Sequence, residues 1–180
     1  MKRAVFFDRD GVLNEAGVRD GVPHPPQSLA ELRFVPGARQ AVAAVREAGF
    51  VAIAITNQPD VARGHASQAG VEAIDEAVIA TLGLDALYAC FHDDADACDC
   101  RKPKPGLVRQ AAAEHGIDLA ASYFVGDRSK DVACGNAAGC VTIFIDRKYG
   151  ETPAETGAWR TVATLDEAIS QILQREGALH

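Results

Sequence analysis

Five short apolar runs alternate with helical patterns along the chain, and this rhythm constrains the fold more than any other feature of the sequence. Each run is rich in Val, Ile, Phe or Ala and is too continuous for a strand with one exposed face, so we expect strands covered on both faces. Such alternation predicts an α/β fold: a Rossmann-like parallel sheet with right-handed crossovers and helices on both faces. The predicted strands are Ala4–Asp8, Val51–Thr56, Ala86–Phe91, Tyr123–Asp127 and Val141–Asp146.

The helices predicted between these runs begin and end at residues that commonly flank helices. Pro36, Ser67 and Pro105 suit helix starts. Four glycines suit helix ends: Gly49, Gly83, Gly116 and Gly139. The predicted helices are Gly37–Ala48, Gln68–Leu82, Gly106–His115, Asp131–Ala138 and Leu165–Arg175. Two loop-like stretches interrupt the pattern, Glu15–Phe34 and His92–Pro105.

The composition limits the classes of function that the chain can have. Its 180 residues are 48% hydrophobic, enough for one sizeable core, and we expect a single domain over residues 1–180. The formal net charge of −7 argues against a general basic surface, so neither nucleic acid nor a membrane is an expected partner. No apolar run approaches the roughly 20 residues of a membrane span, and the N-terminus lacks the pattern of a secretory signal. We expect a monomeric, cytoplasmic protein.

The first apolar run ends in the sequence DRDG, so Asp8 and Asp10 lie two residues apart at the end of a buried strand. Two like charges this close repel each other and lose their hydration together, so they need a compensating cation. Oxygen ligands, few of them from protein, are typical of Mg²⁺, which also takes water and phosphate oxygens. Asp127 follows another predicted strand and offers a third carboxylate, with Asp131 one helical turn further on. The alternative for Asp127 is an ordinary helix N-cap.

Three of the five cysteines, Cys90, Cys98 and Cys100, crowd into eleven residues, and His92 lies among them. In a reducing compartment such a cluster favours a metal over disulfides. Three thiolates and one imidazole form a closed set of four ligands, as in structural zinc sites, and leave no position for a catalytic water. The alternative is a group of free cysteines. The acidic residues of this loop are rival ligands or keep the loop solvated, and we expect the second role. The remaining cysteines are expected in the core: Cys134 and Cys140.

Four motifs, in order along the chain, resemble the haloacid dehalogenase superfamily of phosphohydrolases. They are DRDGVLN at Asp8, TNQ at Thr56, RKPKPG at Arg101 and GDRSKD at Gly126. Each motif follows a predicted strand or opens a predicted helix, and together they span most of the chain. The resemblance implies a Mg²⁺-dependent phosphatase that forms an aspartyl-phosphate, on a fold that has no large cap domain.

The resemblance also implies a role for individual residues of these motifs. Asp8 would be the nucleophile, and Asp10 the general acid and then the general base. Thr56 would bond a phosphoryl oxygen, and Lys102 would neutralise charge on the transferring group. Asp127 would hold Mg²⁺ together with Asp8 and the carbonyl group of Asp10.

The cysteine loop that runs into RKPKPG resembles one branch of the superfamily, which contains the D-glycero-D-manno-heptose 1,7-bisphosphate 7-phosphatases and the histidinol-phosphate phosphatases. Zinc would fix the loop and aim Arg101 and Lys102 at the phosphate. The implied substrate is a small phosphorylated sugar, heptose 1,7-bisphosphate first, with histidinol phosphate or another small sugar phosphate as the alternative. Pro59 and the pair Gly17-Val18 depart from the usual residues of this branch. The residues implied to contact substrate are Arg9, Ala16, Gly17, Val18, Arg19, Asn57, Gln58, Pro59, Arg101 and Arg128.

Two functions from other classes agree less well with the sequence. An interaction module built around zinc, with vestigial acidic residues, would not need the proton donor that Asp10 provides. A phosphatase that acts on nucleic-acid ends would need a basic groove with stacking aromatic residues. The chain is acidic and has one Trp, three Tyr and seven Phe, which disfavours that groove.

Overall fold

The structure is a computed structural model that describes residues 1–150 and 157–177. In chain order its strands are β1 (Arg3–Phe7), β2 (Gly17–Arg19), β3 (Val22–His24), β4 (Phe50–Asn57), β5 (Ala86–Cys90), β6 (Tyr123–Gly126), β7 (Val141–Ile145) and β8 (Arg160–Val162). Six strands form one parallel sheet in the order β5-β4-β1-β6-β7-β8. The other two, β2 and β3, form a separate antiparallel hairpin.

Helices cover both faces of the sheet, so the predicted α/β fold is confirmed. They are α1 (Ala38–Glu47), α2 (Gln68–Leu82), α3 (Gly106–His115), α4 (Ser129–Ala138) and α5 (Leu165–Arg175). On one face α1, α2 and α5 contribute Val42, Ile74 and Ile169 to a single buried cluster. On the other face α3 and α4 contribute Val108 and Cys134 to a second cluster. Because both faces are buried, the central strands are continuously apolar.

The helix boundaries follow the capping residues. At the start of α2 the hydroxyl of Ser67 accepts a hydrogen bond from the backbone N–H of Gly70 at 3.1 Å. The predicted bounds of α2, α3 and α5 match the structure residue for residue, whereas α4 begins two residues earlier than predicted. The carboxylate of Asp131, in the first turn of α4, accepts the N–H of Arg128 at 3.0 Å and so stabilises that earlier start. Within the described ranges, none of the helices has the length and apolar composition needed to cross a membrane.

Two elements were not predicted, and both consist of strands only three residues long. The hairpin β2–β3 lies within the stretch expected to be a loop. It turns at Asp20 and Gly21, which both have positive φ, 52° and 75°. An Asp-Gly pair is a typical hairpin signal, so this element was detectable. The edge strand β8 pairs with β7, and its largely exposed residues show neither alternation nor a continuous apolar run.

Strand β1 is the point at which the strand order of the sheet changes side. Strands β4 and β5 lie on one side of β1, and strands β6, β7 and β8 lie on the other. All strands of the sheet are parallel, so their carboxyl ends share one edge. In open α/β sheets the loops diverge at such a point and leave a crevice where ligands bind. Asp8, Thr56 and Asp127 lie at or just beyond the ends of β1, β4 and β6.

The packing of α4 against the sheet depends on Gly135. A Cβ atom at this position would lie 2.5 Å from Thr142 Cγ2 and 2.7 Å from Phe124 Cβ. We expect Gly135→Ala to lower the free energy of unfolding by about 1–3 kcal/mol, the usual effect of overpacking a core. Urea denaturation measures this difference. Gly17→Ala is the control, since a Cβ there meets nothing within 4 Å; equal stability of the two variants would contradict this account of the packing.

Candidate active site and cysteine cluster

Three carboxylates and one ammonium group share a buried site at the carboxyl ends of β1 and β6. Oxygen atoms of Asp8, Asp127 and Asp131 lie within 4.8 Å of one another. Lys102 Nζ lies 2.5 Å from Asp8 Oδ1 and 2.7 Å from Asp131 Oδ1. It also donates a hydrogen bond to the carbonyl oxygen of Ile55 at 3.0 Å. With all three carboxylates ionised, the site holds three negative charges against one positive charge.

The protonation equilibria reflect this imbalance. Burial and the neighbouring carboxylate of Asp131 together raise the pKa of Asp8 to about 6, although Lys102 opposes the rise. Burial, together with Asp8 and Asp131, raises the pKa of Asp127 well above its usual range. Burial alone would lower the pKa of Lys102, but the two carboxylates beside it raise that pKa overall. Lys102 is therefore charged at neutral pH.

The carboxylate of Asp127 is only partly paired by hydrogen bonds. Its Oδ1 atom is buried and has no hydrogen-bond partner among the described residues. Gly11 has φ +89°, and a Cβ there would lie 1.9 Å from Asp127 Oδ2, so only glycine allows the carboxylate to approach the loop after β1. Helix α4 has Arg128 as its N-cap, so the interpretation of Asp127 as an N-cap is wrong. A bare carboxylate oxygen beside two other carboxylates fits a hard divalent cation.

The carboxylate of Asp10 is held by three side chains. Arg9 donates to it from Nε at 3.2 Å and from Nη2 at 3.0 and 3.1 Å. Asn14 Nδ2 donates at 2.9 Å and Gln58 Nε2 at 2.7 Å. The same Gln58 nitrogen donates to Thr56 Oγ1 at 2.8 Å. Asp10 therefore has a defined orientation before any substrate is present.

A cleft of about 230 Å³ opens over these groups. Nine of the predicted site residues line it: Asp8, Asp10, Ala16, Asn57, Pro59, Arg101, Lys102, Asp127 and Arg128. Arg9, Thr56 and Gln58 are buried and do not line the cleft. Gly17 and Arg19 line an adjacent cleft instead. Val18, with 57% of its surface exposed, lines neither of the two clefts.

Several residues that line the cleft were not among the predicted site residues. The hairpin and the loop after β4 supply most of them, and α4 supplies one: Val22, Pro23, His24, Pro25, Asp60, Arg63 and Lys130. The Asp-Gly turn was the available signal for the hairpin residues. Of the two cations, Lys130 lies within the motif GDRSKD, where clustered positive charge predicts local anion binding, and Arg63 follows the TNQ motif. The lining of the cleft thus has five cationic side chains beside four carboxylates, in a protein whose formal net charge is −7.

The cysteine loop brings its four predicted ligand residues together. The sulfur atoms of Cys90, Cys98 and Cys100 lie 3.0, 3.4 and 3.7 Å from one another. His92 Nδ1 lies 3.5 Å from the sulfur of Cys90 and 3.2 Å from that of Cys100. A tetrahedral zinc ion with Zn–S bonds of about 2.3 Å places its sulfur ligands about 3.8 Å apart. The sulfur atoms lie at or inside this separation, so the four donor atoms surround one point and could hold a single metal ion. The other two cysteines are buried in the core as predicted: Cys134 and Cys140.

The acidic residues of this loop bind arginines, so the expectation that they only keep the loop solvated is incomplete. Arg63 donates from Nε and Nη2 to the two carboxylate oxygens of Asp93 at 2.8 and 2.6 Å. Arg101 donates from Nε to Asp94 Oδ1 at 2.6 Å. The hydrogen bond from Arg63 lowers the pKa of Asp93 to about 2. The loop thus holds two of the cations that line the cleft.

Asn57 connects β4 to the end of the cysteine loop. Its Nδ2 donates to the carbonyl oxygen of Lys102 and its Oδ1 accepts the N–H of Lys102, both at 3.0 Å. This pair of hydrogen bonds fixes the backbone from which Lys102 reaches Asp8. The geometry gives Asn57 a structural contact that the sequence did not indicate.

Comparison with known proteins identifies relatives over nearly the whole chain. The HAD-hydrolase-like family model matches residues 99–167. The D-glycero-beta-D-manno-heptose-1,7-bisphosphate 7-phosphatase of Haemophilus ducreyi is 34% identical over 166 residues, covering 86% of this chain and 88% of the relative. The Escherichia coli protein of the same name is 34% identical over 185 residues, covering 93% and 94%. A crystal structure of D,D-heptose 1,7-bisphosphate phosphatase from B. bronchiseptica, complexed with magnesium and phosphate, is similar with a TM-score of 0.83 and 31% identity, covering 96% of this chain and 99% of that one.

The cysteine cluster predicts which substitutions remove metal. We expect the purified wild-type protein to carry zinc and Cys98→Ser to lose most of it, because an alcohol is a far weaker zinc ligand than a thiolate. Cys140→Ser is the matched control, since its sulfur lies in the core and outside the cluster. Metal analysis after dialysis against a chelator measures both. Wild-type zinc content in the Cys98 variant would contradict the ligand assignment.

Proposed function

The chain belongs to the D-glycero-beta-D-manno-heptose-1,7-bisphosphate 7-phosphatase family of haloacid dehalogenase-like phosphatases, and on this premise we propose that it hydrolyses the 7-phosphate of that heptose bisphosphate. The chain is therefore a phosphatase. What we propose is the identity of its substrate, the β-anomer of heptose 1,7-bisphosphate. The observation that carries the chemistry is the buried group of three carboxylates around one lysine, with an unpaired oxygen on Asp127.

We propose Mg²⁺ as the cation of this site, held by Asp8, Asp127 and the carbonyl group of Asp10. The unpaired oxygen and the raised pKa of Asp127 both support the binding of a cation at this position. When bound, the ion would supply charge that offsets the carboxylates and the phosphoryl oxygens.

We propose that Asp8 is the nucleophile. Attack by its carboxylate oxygen on phosphorus forms a P–O bond while the bond from phosphorus to the sugar oxygen breaks, which leaves an aspartyl-phosphate. Lys102, 2.5 Å from Asp8, holds this carboxylate and supplies a fixed positive charge for the phosphoryl oxygens. Its second partner, Asp131, keeps the ammonium group in place at 2.7 Å.

We propose that Asp10 moves the protons of the reaction. It lines the cleft and accepts hydrogen bonds from Arg9, Asn14 and Gln58, so its environment differs from that of Asp8, whose partner is Lys102. As general acid it would give a proton to the leaving sugar oxygen, and as general base it would take one from the water that attacks the aspartyl-phosphate. Two carboxyl groups in different environments suit this division of roles.

The walls of the cleft support a substrate with more than one phosphate. Arg63, Arg101, Arg128 and Lys130 line the cleft in addition to Lys102 and attract anions locally. We propose that zinc in the cysteine loop keeps two of these cations in place, because the loop carries Arg101 and also the carboxylate that binds Arg63. Zinc would then have a structural role, with no part in the chemistry.

Phosphate release tests the proposed substrate. With Mg²⁺ present, we expect a kcat/KM for the β-anomer of heptose 1,7-bisphosphate at least about tenfold above that for histidinol phosphate, since the cationic walls suit a bisphosphate. We expect a similar preference over the α-anomer, which follows the activity for which the relatives are named. Asp8→Asn should abolish release from all three while the fold stays intact by circular dichroism.

The outcomes of this experiment test the identity of the substrate and the covalent mechanism separately. A preference for histidinol phosphate would contradict the heptose assignment and leave the phosphatase mechanism unchanged. Substantial turnover by the Asp8→Asn variant would contradict the covalent mechanism itself.

A further inference from the structure

Arg9 is a fully buried arginine that connects two carboxylates on different elements. Its Nε and Nη2 atoms hold Asp10, as described above, and its Nη1 atom donates to Asp75 Oδ1 at 2.6 Å. The Arg9 side chain has no exposed surface, and the side chain of Asp75 keeps only 10% exposed. Burial lowers the pKa of Arg9, but the two carboxylates raise it overall, so the guanidinium is charged.

Asp75 lies on α2, and no residue of α2 lines the cleft. It shares the buried face of this helix with Val71, Ile74 and Val78. A carboxylate on such a face loses hydration, and burial accordingly raises its pKa while Arg9 opposes the rise. A buried charge at this position is stable only because its partner is the guanidinium of Arg9.

Because a guanidinium group has a fixed geometry, this ion pair restricts the orientation of both Arg9 and Asp10. The group is planar and its five N–H donors have fixed directions. The bond from Nη1 to Asp75 restricts the rotation of this plane, and with it the directions in which Nε and Nη2 meet Asp10. Asn14 donates to Oδ1 and Gln58 to Oδ2 of the same carboxylate, so Arg9 is the charged donor among the three side chains that hold it.

We propose that Asp75 is a positioning residue of the reaction: it fixes Arg9, and Arg9 fixes the carboxyl group of Asp10 toward the leaving oxygen. The inference rests on the proposed function, in which Asp10 is the general acid. Asp75 itself touches neither the cleft nor the reacting atoms.

A comparison of two leaving groups tests this role. A sugar alkoxide leaves poorly without a proton, whereas 4-nitrophenolate needs little protonation, so a misplaced general acid slows the first far more. The value of kcat/KM covers only the steps up to departure of the leaving group, so later hydrolysis of the aspartyl-phosphate does not enter. We expect Asp75→Ala to lower kcat/KM by about 10–100-fold for heptose 1,7-bisphosphate and by less than about threefold for 4-nitrophenyl phosphate.

The ratio of the two kcat/KM values is measured on one preparation, so a smaller folded fraction lowers both values equally and leaves the ratio unchanged. Asp75→Asn keeps an acceptor oxygen for Arg9 and should restore part of the ratio; it also decides the matter if the alanine variant yields no folded protein. Glu76→Gln is the matched control, since Glu76 is the exposed neighbour of Asp75 on the same helix, and it should leave the ratio unchanged.

Asp10→Asn separates a failure of this inference from a failure of the proposed function. If Asp10→Asn lowers both substrates equally, Asp10 is not the general acid, and both the proposed role of Asp10 and the inference fall. If Asp10→Asn is selective for the sugar phosphate but the Asp75 variants lower both substrates equally, or neither, the proposed function stands and the role of Asp75 is overturned.

Discussion

The loss of hydration of three carboxylates around a single ammonium group is the constraint on which the rest of the structure depends. Asp8, Asp127 and Asp131 meet because β1 and β6 are adjacent parallel strands that end at the same edge of the sheet. Lys102 offsets part of their repulsion. The part that is not offset raises the pKa of Asp127, whose Oδ1 atom also has no hydrogen-bond partner among the described residues. A carboxyl group whose pKa is raised on folding reduces stability as the pH rises past its ordinary value. The protein therefore maintains a strained electrostatic site that a bound divalent cation would relieve.

Much of the surrounding chain serves to keep Lys102 in this site. Lys102 follows the cysteine cluster by two residues, and the side chain of Asn57 binds both of its backbone polar groups. The same loop carries the carboxylates that hold Arg63 and Arg101 at the mouth of the cleft. A metal site distant from the chemistry can act in this way, by limiting the positions that catalytic side chains adopt. The cysteine cluster and the acidic site are thus two parts of one arrangement.

The sequence predicted the layers of the fold, because strands buried on both faces must be continuously apolar and their helices must begin and end at capping residues. It also predicted that Asp8 and Asp127 would meet, since both follow strands of one parallel sheet. It did not predict the ion pairs of Arg9 with Asp75 and of Arg63 with Asp93, because each joins residues far apart in the chain and depends on how helices and loops pack. The strands of the hairpin are too short to show a pattern, so its Asp-Gly turn was the only signal for it in the sequence. The monomeric state and the cytoplasmic location stay predictions.

The response of thermal stability to Mg²⁺ in the wild type and in Asp127→Asn tests the central claim most directly. A ligand that binds only the folded state raises the unfolding temperature, and the rise grows with the logarithm of the ligand concentration divided by Kd. Without Mg²⁺ the variant should unfold at a higher temperature than the wild type, because it has two buried carboxylates beside Lys102 where the wild type has three. Millimolar Mg²⁺ should then raise the unfolding temperature of the wild type and leave that of the variant unchanged. An equal response of the two proteins to Mg²⁺, or a variant less stable than the wild type in its absence, would contradict the account.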